Sequence, residues 1–461
     1  MKTPPLDLRA RLRPGGRGIL CARDRVVRFD ALIAGNPLSV PLASLEGAHV
    51  LLRTADQFAA ALALIALDGI AARIVIVPPD LKDDSLPDVI QRAEIDTLVT
   101  DGEPIAGLRH VDVSNQAEAF LPHARSADGG GGRSTDQVRR PEGAETEWVM
   151  FTSGTTGAPK MVAHTLEALT GAIKPANDPV VWGTFYDIRR YGGLQIFLRA
   201  VLGGASLILS DAGESVADFL KRLGQGGVTH LTGTPSHWRR ALMSPGIGRI
   251  TPRYVRLSGE IADQAVLDSL KAKFPDATIG HAYASTEAGV GFEVTDGLEG
   301  FPASFVGSAG AVEMRVEDGS LRIRSARTAS RFVGNSDPLK DDSFVDTGDM
   351  VELRRARYYF TGRRSGVINV GGLKIHPEEV EAVINRHPAV RLSRVSGRRS
   401  PITGAIVIAE VVLDDGEDRD KVQGEILRDC RASLKPFQVP AMVRVVPKLE
   451  LSAGGKLVRH A

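Results

Sequence analysis

Between residues 47 and 100 the chain alternates short β-branched runs with helix-like stretches, and this rhythm constrains the fold more than any other feature. It reads HVLLR, QFAAALALIALDG, RIVIVPP, a polar helical stretch and DTLVTDG. Strand, helix, strand, helix, strand predicts a parallel sheet with helices on its faces. The alternation resumes after WVMFT in LGGASLILSD, VTHLTGTP, RYVRLSG and TIGHAYAST, which predicts a second α/β layer. Beyond residue 300 the texture changes to short strands such as SLRIRS and YYFTGRR, a β-rich subdomain. The last hundred residues read as a small α+β domain: HPEEVEAVINRH as a helix with an acidic first turn, AIVIAEVVL as a strand and DKVQGEILRDCRASL as a helix. A Gly-, Ser- and charge-rich linker is expected at HARSADGGGGRSTDQVRRPEG.

At 461 residues the chain is too long for a single ordinary core. Its 43% hydrophobic and 25% charged residues match soluble globular proteins. Lys and Arg number 57 against 56 Asp and Glu, so no global positive field gathers nucleic acid or anionic membrane, and a small-molecule partner is expected. The apolar run at residues 58–67 is too short to span a bilayer, and the basic N-terminus lacks an apolar segment of the kind that directs export. Two distant cysteines, Cys21 and Cys430, form neither a disulfide framework nor a thiolate zinc site, which fits a reducing cytoplasm.

The most informative segment chemically is FTSGTTGAPK at residues 151–160. Thr152, Ser153, Gly154, Thr155, Thr156 and Gly157 offer a core little, but they supply hydroxyls and a backbone free to turn its N–H groups inward. With the Lys160 charge, the loop is suited to holding polyphosphate. It matches neither the Walker pattern nor a GxGxxG fingerprint.

This loop resembles the signature of the adenylate-forming superfamily, which includes acyl-CoA and aryl-CoA synthetases, peptide-synthetase adenylation domains and luciferases. Four further blocks carry the resemblance in order. They are Tyr283-Ala284-Ser285-Thr286-Glu287, close to YGxTE with Ala284 for Gly; Thr347-Gly348-Asp349 ahead of RYYF; GRRSGVINVGGLKIHPEEVE at 362–381; and Gly455-Lys456 near the chain end. Weaker similarity reaches back to VVRFDALI, followed by a segment that reads as shortened.

The resemblance implies an α/β fold with a large N-terminal adenylation domain, 1–364, and a small mobile lid, 365–461. It implies ATP-dependent activation of a carboxylic acid as acyl-adenylate with loss of pyrophosphate, then transfer to a thiol. Coenzyme A is the expected acceptor, with the phosphopantetheine of an acyl carrier protein as the alternative and a non-catalytic homologue as a third reading. In that frame the 152–160 loop holds the β- and γ-phosphates, Thr286 meets the α-phosphate and Glu287 binds Mg²⁺. Tyr283 stacks on adenine, with Gly259, Glu260 and Ile261 on its other side. Asp349 takes both ribose hydroxyls and Arg363 approaches the sugar. Lys456 is the expected catalyst of adenylation, since a flexible ammonium reaches both the attacking carboxylate and the α-phosphate.

Other implied positions have a plain structural reading beside the functional one. Lys374 is a second basic group or a solvated residue. Gly371 and Gly372 admit the pantetheine arm or simply form a turn. Ser365 falls at the hinge where relatives carry Asp or Lys, and its uncharged side chain supplies no electrostatic latch. The acid pocket draws on Arg190, Tyr191, Gly192, His281, Ala282 and Ala284. Arg189 or Arg190 stands where relatives carry His, either to meet an anion or to pair with Asp187. Extra methyls at Ala282 and Ala284 favour a compact aryl or short acyl acid. A monomer or homodimer is expected.

Overall fold

The computed structural model describes residues 7–12, 16–114, 145–152, 159–173, 179–334, 339, 343–400, 404–452 and 454–458. The linker at 123–143 lies outside these residues. The chain divides into two compact units. One comprises Met1–Glu214, Gln225–Thr229 and Arg327–Leu339, the other Ser215–Gly224, His230–Ala326 and Lys340–Ala461.

In the first unit the helix Gln57–Leu67 has every residue buried, which is why its sequence lacks a polar stripe. Asp56 opens it by accepting from the amides of Phe58 and Ala59 at 2.7 and 3.0 Å. The buried Gln57 amide is satisfied at both ends: it donates to Ser210 O and accepts from Ile188 N. A seven-stranded sheet runs in the order Arg331–Phe332, Met161–His164, Glu147–Phe151, Arg73–Ile76, His49–Arg53, Thr97–Thr100, Arg109–Asp112. Its last five strands are parallel. Arg73–Ile76 and Thr97–Thr100 are buried at every position, as strands covered on both faces must be.

The edge departs from the expected parallel sheet, because Met161–His164 runs antiparallel to Glu147–Phe151. Nine residues join them, too few for a crossover, so the chain returns as a hairpin. A second group of strands, Val181–Thr184, Ser206–Leu209 and Ile19–Cys21, is parallel, with Val26–Arg28 added antiparallel. Asp68 ties the unit's N-terminal segment to its core. Its Oδ2 accepts from Leu8 N at 2.8 Å and its Oδ1 from the buried Trp148 Nε1 at 2.9 Å. Burial raises its pKa to about 6 despite these two donors.

In the second unit His230–Gly233, Tyr254–Ser258 and Thr278–Ser285 are parallel, and Gly289–Val294 returns antiparallel. The expected β-rich part is a five-stranded antiparallel sheet ordered Phe301–Pro302, Arg357–Arg363, Val345–Arg354, Ser320–Ser325, Val312–Glu317. The small C-terminal α+β part packs the helices Pro377–Ile384 and Arg419–Ser433 on the strands Val390–Ser400, Gly404–Leu413 and Met442–Val445, around Val380, Ile384, Val395, Val411, Ile426 and Cys430. The fold is therefore α/β, with a large N-terminal part and a small C-terminal domain, as expected. Among the described residues no helix is long and apolar enough to cross a membrane.

Candidate active site

The strand Thr278–Ser285 carries the second sequence block to the carboxyl end of its parallel sheet, where open α/β sheets bind ligands. Ser258 pairs with Ala282, so the turn that begins at Gly259 lies beside Tyr283. Gly259 has φ +87°, a conformation that favours glycine. The pairing of Thr278–Ser285 with Gly289–Val294 slips between Tyr283 and Ala284, and such an irregularity re-aims the side chains beside it.

The Tyr283 ring lies nearly parallel to Phe360 at 5.4 Å and to Phe292 at 5.7 Å. Its hydroxyl donates to Asp349 Oδ2 at 2.7 Å, while Arg363 Nε donates to Asp349 Oδ1 at 3.0 Å. Asp349 and Arg363 are direct cross-strand partners. Burial, and then the Asp349 carboxylate, push the Tyr283 phenol well above its usual pKa. Burial alone would lower Arg363, but Asp349, Tyr283 and Glu287 outweigh it and hold the guanidinium above its usual pKa. Tyr283, Glu287, Asp349 and Arg363 thus belong to one electrostatic neighbourhood. Each Asp349 oxygen already accepts from a protein donor, so only its remaining lone pairs can serve a sugar.

Thr286 and Glu287 sit in the turn after this strand, half-buried, in a bend closed by Ala288 N donating to Ser285 Oγ at 3.0 Å. Among the described residues no group of three or more His, Cys, Asp or Glu could hold a metal ion. A single carboxylate such as Glu287 fits Mg²⁺ delivered with nucleotide phosphates, because that ion keeps waters and takes its other ligands from the phosphates.

The C-terminal glycine-lysine block folds back onto the same unit. A methyl placed on Gly259 would lie 3.4 Å from Lys456 Cε and 4.0 Å from its Nζ. Sequence blocks almost two hundred residues apart meet there. Glu260, expected beside adenine, has its carboxylate engaged otherwise: Oε2 accepts from Ser236 N at 2.9 Å and Oε1 from Leu457 N at 3.0 Å. Ile261 is half-buried at the end of that turn. Thr234 Oγ1 donates to Gly455 O at 2.7 Å and accepts from His237 N at 3.0 Å, capping the helix Pro235–Met243. The His237 ring abuts Gly455, and burial, then the Arg240 charge, lower its pKa to about 3, so it is neutral. Thr234 and His237 were not among the residues sequence reasoning selected. The Thr-Pro helix start was legible, but its contact with a loop about 220 residues away carried no sequence signal.

Of the phosphate loop, Ser153, Gly154, Thr155, Thr156 and Gly157 lie outside the described residues. Their flanks are a hairpin neck, with Thr152 N donating to Lys160 O at 3.0 Å and Lys160 exposed. The acid-pocket positions fall in both units. In the first, Arg189 makes the structural pairing: its Nε and Nη2 donate to Asp187 at 2.9 and 2.7 Å. Arg190 pairs with Asp80, Tyr191 is buried, and Gly192 lies against the Tyr186 ring. In the second, His281 Nε2 lies 2.9 Å from Leu298 O, Ala282 is buried and Ala284 half-buried.

Gly371 and Gly372, with φ +59° and +86°, form the two-residue turn between Ile368–Val370 and Leu373–Ile375. Lys374 on that hairpin is exposed. Ser365 lies in a short 3₁₀ turn beside an ion pair that the sequence reading missed, Arg364 Nη1 to Asp346 Oδ2 at 3.1 Å.

Residues 45–325 match the AMP-binding enzyme family and residues 379–456 the AMP-binding enzyme C-terminal domain. The chain is 28% identical over 340 residues to the 2-succinylbenzoate–CoA ligase of Listeria innocua serovar 6a, covering 69% of each protein. Its fold is similar to that of an anthranilate CoA ligase solved with anthranoyl-AMP, at TM-score 0.79 and 17% identity, with 98% of this chain and 96% of that one covered. It is similar also to the o-succinylbenzoate CoA synthetase of Bacillus subtilis solved with its acyl-adenylate intermediate, at TM-score 0.73 and 21% identity, covering 99% and 97%. With the family matched across most of the chain, and the Tyr283, Asp349 and Lys456 blocks together in one compact unit, the protein belongs to the AMP-binding, adenylate-forming enzymes.

Proposed function

We propose that the chain is an ATP-dependent acid–CoA ligase for a compact aryl acid, and that Lys456 catalyses the adenylation step. The observation that carries this reading is the return of Lys456 to the Gly259 turn, beside the strand that bears Tyr283 and Thr286. Attack of a thiol on a carboxylate is slow because oxygen leaves poorly, so the acid must first exchange that oxygen for AMP. As the acid oxygen attacks the α-phosphate, negative charge builds there and on the departing pyrophosphate. A fixed cation is worth most where that charge develops. The Lys456 ammonium would meet the acid and the α-phosphate together, and Thr286 would donate to the same phosphate.

Asp349, held by Tyr283 and Arg363, would accept from the ribose hydroxyls through its remaining lone pairs. Glu287 would hold the Mg²⁺ that accompanies ATP, which neutralises phosphate charge when bound. Thr152, the 153–157 loop and Lys160 would receive the outer phosphates. We assign residues 1–364 to nucleotide and acid binding and 365–461 to a mobile lid turning at Ser365, with Gly371 and Gly372 admitting the thiol. The compact aryl assignment rests on the methyls that Ala282 and Ala284 add where relatives carry glycine, and on the activities of the relatives. The cytoplasm is the proposed location.

The test is pyrophosphate release with hydroxylamine trapping, using ATP, Mg²⁺ and a panel of 2-succinylbenzoate, anthranilate, benzoate and short- and medium-chain acids. CoA is then set against a holo-carrier protein as acceptor. Lys456→Ala should slow pyrophosphate release by roughly 100- to 1,000-fold. Turnover of medium-chain acids with the aryl acids inert would refute the acid class, and thioester formed only on the carrier would refute CoA.

A further inference from the structure

We propose that Glu260 is a positioning residue that clamps the Lys456 loop onto the amino end of the helix Pro235–Met243. The inference rests on the reading of Lys456 as the adenylation catalyst and adds what holds that lysine in place. The loop is closed on itself. Ser452 N donates to Lys456 O at 2.8 Å, Gly455 N donates to Ser452 O at 2.8 Å, and Leu451 and Leu457 form an antiparallel bridge. A closed turn moves as one piece, so fixing two of its residues fixes the one between them.

Those two residues flank Lys456. Leu457 N donates to Glu260 Oε1, and Gly455 O accepts from Thr234 Oγ1. The other Glu260 oxygen accepts from Ser236 N in the first turn of the helix, where the backbone dipole favours a carboxylate. Thr234 caps the same helix end. Glu260 springs from the turn after Tyr254–Ser258, but its second oxygen ties it to the same helix end that Thr234 caps, so both anchors meet at one rigid element.

A carboxylate suits this place because both its oxygens face backbone N–H groups. Glutamine would keep one acceptor and set an NH₂ against the other amide, donor to donor. The clamp is thus a bridge between two amides that only an acidic side chain of this length completes. The family resemblance placed Glu260 beside the base. Its carboxylate is turned to the lysine loop and the helix end.

The test has two arms on the full-length chain. Amide hydrogen exchange, read on the peptide covering residues 450–458, measures the clamp without any substrate. Glu260→Ala should speed exchange at Leu457 about tenfold or more, Glu260→Gln by an intermediate amount, and Lys456→Ala should leave it unchanged. Unchanged protection in both Glu260 variants overturns the proposal. Should the alanine variant fail to fold, Glu260→Gln, which keeps volume and one acceptor, carries the test.

The second arm is pyrophosphate release with ATP, Mg²⁺ and 2-succinylbenzoate. Glu260→Ala should lower kcat about 10- to 100-fold, because a loop held by Thr234 alone misplaces its lysine by up to about 1 Å even while docked, with the KM for ATP nearly constant. In the Lys456→Ala background the same change should cost almost nothing, because Glu260 acts through that lysine. An equal loss in both backgrounds would mark an independent structural role and overturn the clamp. Full activity of Lys456→Ala alone would remove the catalytic assignment of that lysine, while the exchange arm would still decide whether Glu260 holds the loop.

Discussion

The tightest geometric demand in the C-terminal loop falls on Gly455, and Gly455→Ala tests it. The added methyl would lie 1.8 Å from His237 Cε1, 2.0 Å from Nε2 and 2.6 Å from Nδ1. The ring cannot simply step aside, because Thr234 N donates to its Nδ1 at 3.2 Å and its amide is tied to the Thr234 hydroxyl. Restoring ordinary contact needs a shift of about 1.5 Å, and the loop, attached by hydrogen bonds, gives before the buried helix end does. The residue also sits at φ +71°, which costs an L side chain about 1 kcal/mol before any clash. A misplacement of about 1 Å in a catalytic group is worth roughly 100-fold in rate. Pyrophosphate release by Gly455→Ala should therefore fall about 100-fold in kcat, with the thermal midpoint almost unmoved because the loop lies outside the main cores. Gly248→Ala is the control, since its methyl would enter open space. A Gly455→Ala enzyme with full kcat would refute the claim that the loop must stay docked for the reaction.

Three further outcomes are expected. The pKa of Asp68 is raised from 3.8 to about 6 in the folded chain, so between those values the native state holds more protons than the unfolded one. Its contribution to stability is then greatest at low pH and is lost as pH rises through about 4 to 6. Relative to wild type, Asp68→Asn should lose up to about 3 kcal/mol more at pH 4 than at pH 7, read from urea midpoints, and a difference independent of pH would refute this. Asp349→Asn should weaken AMP binding about 10-fold or more by calorimetry, since it removes the charge shared with Arg363 and the sugar site; unchanged affinity would sink the ribose assignment. Gly193→Ala should prevent stable folding, measured as soluble yield and thermal midpoint, because its methyl would sit 2.1 Å from Asp187 O; a normally stable variant would contradict that packing.

What the sequence made legible was what short-range pattern encodes. The alternation from HVLLR to DTLVTDG gave the strands and helices of the first sheet because burial on both faces imposes apolar runs, and all eleven residues of Gln57–Leu67 are buried. The motif blocks gave the candidate site residues for the same reason: they are local strings. Registers were not legible. Counting back from the Arg355–Ala356 turn, where Arg354 pairs with Arg357, Asp349 should oppose Gly362. A bulge between Met350 and Val351 shifts the register by one and brings Asp349 opposite Arg363 instead. Gly362, at φ +143°, is crowded by the Glu378 carboxylate and the His376 ring, a close approach that only the folded C-terminal helix creates. The ion pair of Arg364 with Asp346 beside Ser365 was not legible either, since it joins a strand residue to the turn that follows the partner strand. The partners of the Glu260 carboxylate were not legible, because a motif fixes a residue's place on the backbone and not the direction of its side chain.

The attachment of the Lys456 loop also has a scale that bears on turnover. The bonds from Leu457 to Glu260 and from Thr234 to Gly455 are each worth about 1 kcal/mol net, somewhat more where a carboxylate takes part. The apolar area involved is small, since Gly455 brings no side chain and Lys456 is only half-buried. If the loop undocks during turnover as proposed, a total near 3 kcal/mol would put the undocked form at roughly 1% of the population, within the range of accessible minor states. A loop held much more tightly would keep its lysine over the product, and one held much less would present it too rarely to stabilise the developing charge. Two hydrogen bonds flanking one residue, with glycine on the side where bulk would meet the His237 ring, would give an intermediate grip.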